Sequence, residues 1–219
     1  MKRLALIHTV TFLADMFRKK LAVKYPDLDN FHVVDGSILP ELMKSGNIFP
    51  SAVVRRLATQ ARLAFDAGAE VILFTCSSTS PAVDIIQPMF DVPILKIDDP
   101  LAEKAVQIGD KIGVICTAKT TLLPCQNLIR EHATRQGKDI HIIVHLESGA
   151  FEAITAGDLS RHDELVKRVA REMGRKCDVI VLTQASMAHL ASELQESLGI
   201  PVLSSPDLCV EALYRFLVD

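Results

Sequence analysis

The chain has 219 residues, of which 49% are hydrophobic and 23% charged, with a net charge of -3. This balance is ordinary for a soluble globular protein and excludes disordered, collagen-like and coiled-coil chains. Lys and Arg number 24 against 27 Asp and Glu, so no basic face favours nucleic acid. No apolar run reaches the roughly 18 residues that predict a membrane span.

The cysteines bear on the cellular setting. There are five, an odd number, and no CxxC pair occurs in a chain large enough to be stabilised by burial. This pattern favours free thiols over a disulfide framework, and it predicts a reduced, cytoplasmic setting.

Eight apolar runs of strand length alternate with longer amphipathic stretches. In chain order they are RLALI, FHVVD, EVILF, VPILK, KIGVIC, DIHIIVH, DVIVLT and IPVLS. Such alternation is typical of a parallel sheet covered by helices, the α/β class. A proline near the first helical position predicts helices over AVVRRLATQARLAF, LAEKAV and DLCVEALYRFL.

An internal repeat with a shift of 108 residues relates the two halves. Eight of the 30 positions in 71–100 are identical at 179–208, and the same shift lays RLALIHT over KIGVICT. Because one shift fits both ends of each half, duplication explains the likeness better than chance similarity between strand–helix units. The sequence therefore predicts two similar doubly wound parallel-sheet domains related by pseudo-twofold symmetry, residues 1–98 plus 206–219 and residues 99–205.

Doubly wound sheets bind ligands at the carboxyl ends of their strands. We therefore expect an active site in the cleft between the domains, lined by the segments that follow RLALI, EVILF, KIGVI and DVIVL. Each segment runs into a predicted helix start, where backbone N–H groups favour an anion such as a small carboxylate. The candidate substrate-binding residues are His8, Thr9, Thr75, Ser77, Ser78, Cys116, Thr117, Thr120, Thr121, Thr183 and Ser186.

Cys76 is the candidate reactive group. It lies at a strand-to-helix turn, where a helix N-terminus lowers a thiol pKa from about 8.5 and yields a thiolate base or nucleophile. Cys116 matches His8 in the repeat and is interpreted as a lining or packing residue. No GxxxxGK[ST], GxGxxG or GxSxG motif is present, and no cluster with metal-ligand spacing, so we expect neither a nucleotide cofactor nor a metal.

Several segments resemble the aspartate/glutamate racemase superfamily. They are FTCSS, VLTQAS, ICTAKTT, DVPILKIDDP and GIPVLSSPD, and the resemblance extends over the whole chain. That superfamily includes aspartate, glutamate and hydantoin racemases, maleate isomerase and arylmalonate decarboxylase. The resemblance implies a cofactor-independent reaction at the carbon next to a carboxylate, in which one thiolate removes a proton and a second thiol returns one. It also leaves a homo-oligomer open, beside the small carboxylate substrate.

Cys76 matches the first family cysteine, but Gln184 stands where the second is expected. Glutamine has no titratable proton near neutral pH and cannot act as the second acid. We favour an isomerase or decarboxylase with Cys76 as the single essential thiol and Gln184 orienting the substrate. Two alternatives stay open: a racemase or epimerase in which His8, Cys116 or His189 replaces the second thiol, and a non-catalytic protein that binds a small carboxylate.

Overall fold

The computed structural model describes residues 1–46 and 49–218, and the chain divides into two compact units. Unit 1 comprises Met1–Ile97 and Pro206–Asp219, and unit 2 comprises Asp98–Ser205. Each unit contains a sheet of four parallel strands with helices around it. The predicted α/β class, with two similar parallel-sheet units, is therefore confirmed.

The sheet of unit 1 has the strand order β2-β1-β3-β4. Its strands are β1 (Leu4–His8), β2 (Asn30–Val34), β3 (Val71–Phe74) and β4 (Ile94–Lys96). Its helices are α1 (Thr11–Lys24), α2 (Ile38–Lys44), α3 (Ser51–Asp66) and α4 (Ser80–Ile86), with short 3-10 helices at Ser77–Thr79 and Gln87–Met89.

The sheet of unit 2 repeats this order as β6-β5-β7-β8. Its strands are β5 (Lys111–Cys116), β6 (His141–Leu146), β7 (Val179–Leu182) and β8 (Val202–Ser204). Its helices are α5 (Asp99–Ile108), α6 (Lys119–Gln136), α7 (Ser148–Thr155), α8 (Leu159–Met173) and α9 (Ala191–Leu198), with a 3-10 helix at Ala185–Leu190. Across the described ranges, no helix has the length and apolar character needed to cross a membrane.

The end of the chain adds α10 (Ser205–Ala212) and α11 (Tyr214–Leu217). The sequence predicts one helix here, and the structure divides it. The carbonyl of Val210, which would accept from the Tyr214 N–H in an uninterrupted helix, accepts a hydrogen bond from the Tyr25 hydroxyl at 2.8 Å. This bond lies where the two helices part, and it fastens the end of the chain to unit 1.

The two faces of the unit 1 sheet are covered by separate apolar clusters. Ala5 and Ile7 of β1 belong to one cluster, and Leu4 and Leu6 belong to the other. Successive side chains of a strand point to opposite faces, so a continuous apolar run is required when both faces are buried. The second cluster also takes in Phe17 of α1 and the apolar residues of the C-terminal segment.

In both sheets the order of connection reverses between the two central strands, β1 and β3 in unit 1 and β5 and β7 in unit 2. The first central strand connects to the edge strand on its own side, and the second connects to the edge strand on the other side. Such a reversal leaves a crevice beyond the carboxyl ends of those two strands, because the connections leave toward opposite sides. The register pairs Ile7 with Phe74 and Ile115 with Leu182. The residues that follow each pair are therefore neighbours at the sheet edge.

Candidate active site at the strand ends

The edge of unit 1 is organised by His8, the last residue of β1. Its Nδ1 lies 2.7 Å from Oγ1 of Thr75, and its Nε2 lies 2.8 Å from Nδ1 of His32 on β2. Thr75 in turn donates from both its hydroxyl and its backbone N–H to the Ile7 carbonyl, at 3.0 and 3.1 Å. Thr75, which directly precedes Cys76, is thus bonded across the end of the sheet.

His8 is a neutral imidazole in this setting. Its side chain is fully buried. Burial lowers the pKa of His8 to about 3, helped by the nearby His32 and the Arg18 cation. Both ring nitrogens have protein partners, so His8 serves to hold the edge together and does not carry a charge near neutral pH.

Cys76 lies just beyond β3 and precedes the 3-10 helix Ser77–Thr79. Its side chain is partly exposed, whereas Thr75, Ser77 and Ser78 on either side are buried. The Cys76 carbonyl accepts hydrogen bonds from the N–H and the hydroxyl of Thr79, at 2.9 and 2.7 Å. The backbone of the turn is fixed, and Cys76 is partly exposed between its buried neighbours.

None of the five cysteines forms a disulfide, and the other four are buried. Cys116 ends β5 with 0% exposure, and burial raises the pKa of its thiol, an effect partly offset by hydrogen bonds with Thr183 and Thr121. This placement agrees with its interpretation as a packing residue. Cys76 is therefore the partly exposed thiol among the five.

Thr9 and Thr117 occupy matching places in the repeat, each just after a central strand. They are 1% and 2% exposed, and neither hydroxyl has a hydrogen-bond partner among the described residues. A buried hydroxyl without a partner costs about 1–3 kcal/mol. The residues that follow, Val10 and Ala118, directly precede α1 and α6 and provide no side-chain cap. Each edge thus presents polar hydrogen-bonding groups suited to carboxylate oxygens.

The edge of unit 2 is organised by Gln184. Its Oε1 accepts from the Thr117 backbone N–H at 3.0 Å and from the Thr183 hydroxyl at 2.8 Å. Its Nε2 donates to Oγ1 of Thr121 at 3.2 Å. The carboxamide ties the end of β7 to the turn between β5 and α6, and it stands where the repeat places Cys76 in unit 1.

The remaining sequence-predicted residues lie around these two edges. Thr120 and Ser186 are partly exposed. His189 is bonded away from the edge, with Nε2 2.8 Å from a carboxylate oxygen of Asp163 on α8. Within the part of the chain that the structure describes, no three His, Cys, Asp or Glu side chains are grouped as metal ligands.

Two features were missed by the sequence reasoning. His32 completes the hydrogen-bond chain at the unit 1 edge, and the fully buried His162 shares Asp163 with His189. A signal for His32 was present, because a histidine interrupts the apolar run of FHVVD beside a strand that itself ends in histidine. For His162 the helical pattern gave no such signal.

The chain was compared with known families, curated proteins and solved structures. The Asp/Glu/hydantoin racemase family model matches residues 9–213. An uncharacterized protein of Schizosaccharomyces pombe is 24% identical over 152 residues, which cover 67% of this chain and 63%, less than two thirds, of that protein.

Solved structures show the same architecture. A glutamate racemase from Bacillus anthracis superposes with a TM-score of 0.76 at 15% identity, covering 99% of this chain and 81% of that one. An arylmalonate decarboxylase superposes with a TM-score of 0.62 at 15% identity, covering 100% and 94%. At such identities the likeness shows that the fold is shared.

Proposed function

Because the chain belongs to the Asp/Glu/hydantoin racemase family, we propose that it is an enzyme acting at the carbon next to a carboxylate of a small amino, hydroxy or dicarboxylic acid. Cys76 is its single essential thiol. The observation that carries the proposal is the placement of Cys76, a partly exposed thiol at the carboxyl end of a central strand, while the other four thiols are buried. The reaction type is an isomerisation or a decarboxylation.

The proposed chemistry moves one proton and requires no redox step. In an isomerisation, the Cys76 thiolate accepts the proton of the carbon acid, the electron pair delocalises into the carboxylate and an adjoining double bond, and the thiol returns the proton to a different carbon of that anion. In a decarboxylation, the bond to the leaving carboxylate breaks, CO2 departs, and the thiol protonates the carbanion. Either path develops negative charge on carboxylate oxygens, which hydrogen-bond donors stabilise.

The hydroxyl of Thr9 supports carboxylate binding at the unit 1 edge. It is buried without a partner among the described residues, beside the start of α1, where backbone N–H groups favour an anion. Thr117 has the same features beside α6. A contribution of the unit 2 edge to the same substrate stays a prediction that rests on the repeat.

A single thiol is favoured because the described residues at the edges include no strong candidate for a second acid. Gln184 cannot titrate, and its carboxamide is held by Thr117, Thr183 and Thr121. His8 is neutral with both nitrogens engaged, and burial raises the pKa of Cys116. Gln184 accordingly acts by shaping the unit 2 edge.

Proton NMR in D2O tests the proposal directly. The purified protein is incubated with a panel of small amino, hydroxy and dicarboxylic acids, and each signal next to a carboxylate is followed for exchange, isomerisation or loss of CO2. We expect exchange or conversion of at least one acid by the wild type, and its loss in Cys76→Ser because an alcohol is a far weaker acid than a thiol.

The matched control is Cys209→Ala, which removes a buried thiol from the core of unit 1. This variant should lose stability but keep the conversion, whereas Cys76→Ser should keep its melting temperature and lose the conversion. Conversion that survives in Cys76→Ser would overturn the single-thiol mechanism. Ligand-induced shifts without conversion of any acid would instead identify a carboxylate-binding protein.

A further inference from the structure

Three side chains at the edge of unit 1 form a hydrogen-bond chain whose direction is fixed by chemistry. The Thr75 hydroxyl has one proton, and its contact at 3.0 Å with the Ile7 carbonyl requires that proton, because a carbonyl only accepts. Oγ1 of Thr75 must then accept from Nδ1–H of His8, 2.7 Å away. A neutral imidazole carries one N–H, so Nε2 of His8 is bare and accepts from Nδ1–H of His32 at 2.8 Å.

The opposite direction of hydrogen-bond donation leaves one of the three contacts without a proton. If Nε2–H of His8 donated to His32, bare Nδ1 would take the Thr75 hydroxyl proton, and two oxygen lone pairs would face each other between Thr75 and Ile7 at 3.0 Å. Only the first direction satisfies all three contacts. It also leaves Nε2 of His32 as a bare acceptor, and that buried atom has no partner among the described residues.

We infer that His32 is a positioning residue for the Cys76 turn, acting through the chain from His32 to His8, Thr75 and the Ile7 carbonyl. This inference rests on the proposed function of Cys76. His32 is the donor at the head of the chain, and it fixes the Nδ1–H tautomer of His8. That tautomer holds Thr75, whose backbone leads directly into Cys76, in the rotamer that bonds across the sheet end.

Burial above all, together with the charges around it, keeps this hydrogen-bond chain neutral. Arg18 and Asp15 of α1 form an ion pair at 2.7 Å and are the charged groups that act on His32. Burial lowers the pKa of His32, and the Arg18 cation lowers it further against the opposing effect of Asp15. Loss of the His32 donor would leave Nε2 of buried His8 with a bare lone pair, which a proton can satisfy. The pKa of His8, which contacts the threonine directly before Cys76, would then rise from about 3, while burial still holds it below 6.5.

Nitrogen-15 NMR of the histidine rings tests the direction of the chain without any assay of activity. In the wild type at neutral pH we expect protonated Nδ1 and bare Nε2 for both His8 and His32, unlike the Nε2–H form that imidazole usually prefers in water. An Nε2–H tautomer at His8 would overturn the inference, whether or not the protein is an enzyme.

Two substitutions test the positioning role. His32→Leu removes the donor, whereas His32→Asn places an amide N–H close to the position of Nδ1–H. We expect His32→Leu to lower kcat by about tenfold with a smaller change in KM, because the thiol turn is misplaced, and His32→Asn to recover most of the loss. His141→Leu, at an exposed histidine at the start of β6, is the matched control.

Iodoacetamide modification of Cys76 followed against pH gives a readout that does not depend on turnover. In His32→Leu we expect the rate profile to gain a step between pH 3 and the ordinary histidine pKa of 6.5, as His8 becomes titratable. The wild type, His32→Asn and His141→Leu should lack that step. Identical profiles in His32→Leu and the wild type would overturn the positioning role, whereas a protein without turnover but with the added step would overturn only the proposed function.

Discussion

The carboxyl edges of the two sheets have matching positions in the repeat, but their side chains make different contacts. The shift of 108 residues places His8, Thr75 and Cys76 of unit 1 over Cys116, Thr183 and Gln184 of unit 2. In unit 1 the buried histidine bonds the threonine, and the thiol stays partly exposed. In unit 2 the Cys116 thiol is buried, and the Gln184 carboxamide accepts a hydrogen bond from the Thr117 backbone N–H. One edge presents a partly exposed thiol, and the other presents a carboxamide that is held by hydrogen bonds within the unit.

One position explains how unit 2 holds its glutamine, and a second position marks another polar contact of unit 2 that unit 1 lacks. Thr121, which accepts from Gln184, corresponds to the buried Leu13 in unit 1, where no hydroxyl is available. His189, which binds Asp163, corresponds to Pro81, which has no side-chain donor. The polar network of unit 2 therefore depends on residue types that unit 1 lacks at the same places.

The largest expected difference between the edges is in thiol reactivity. Cys76 is partly exposed at a helix start, while burial of Cys116 disfavours its thiolate. We expect iodoacetamide to modify Cys76 at least about 100-fold faster than Cys116 in the native protein, as measured by peptide mass spectrometry. A bound dicarboxylate should slow the reaction of Cys76.

The control for thiol reactivity is the unfolded protein, in which both cysteines should react at similar rates. Comparable rates in the native protein, or a Cys76 rate that titrates near the ordinary thiol pKa without protection by any dicarboxylate, would contradict the assignment of Cys76 as the reactive group.

The second difference concerns acid stability, because only unit 1 has a histidine at this place. The native pKa of His8 is about 3 and its ordinary value is 6.5, so the unfolded state binds a proton in this interval and the native state does not. Stability falls as the pH drops from 6.5 to 3, by about 2 kcal/mol at pH 5. Urea unfolding at pH 7 and pH 5 should show this loss in the wild type and a smaller one in His8→Asn.

If His8→Asn is too unstable to compare, an NMR titration of His8 in the wild type gives the same information. A ring that stays neutral to about pH 4 agrees with a native pKa near 3. Titration near the ordinary value would mean that the buried chain with His32 and Thr75 opens in solution.

The fold could be predicted from the sequence to a greater extent than the contacts at the edges. All eight strands lie within a few residues of the apolar runs, and the family indicated by FTCSS and VLTQAS is confirmed. Periodicity and repeats report burial and chain direction, which decide these features. The partner of His8 depends instead on the register that aligns Leu6 with His32, and a sequence pattern does not give that register.

A smaller effect is expected from the glutamine of unit 2. Gln184→Ala removes two hydrogen bonds to Oε1 and leaves the Thr117 N–H without its partner, so we expect the free energy of unfolding to fall by about 1–2 kcal/mol. Gln184→Glu keeps the acceptor and should lose less. Urea unfolding measures both. An Ala variant as stable as the wild type would mean that the glutamine is available to a ligand.

The smallest effect is expected at Asp163, whose contact with His189 has no counterpart at Pro81. Burial raises the pKa of Asp163, but hydrogen bonds from His162 and His189 more than offset this and hold it below its ordinary value. Its ionised form therefore stabilises the fold above the unfolded pKa, and this stability is lost as the pH falls through the native pKa. Asp163→Asn should cost less than about 1 kcal/mol at neutral pH, since the cluster is partly exposed. Urea unfolding should show that the difference in unfolding free energy between the wild type and Asp163→Asn shrinks at acid pH, because protonated Asp163 is as neutral as Asn. A difference that stays constant with pH would mean that the loss comes from packing.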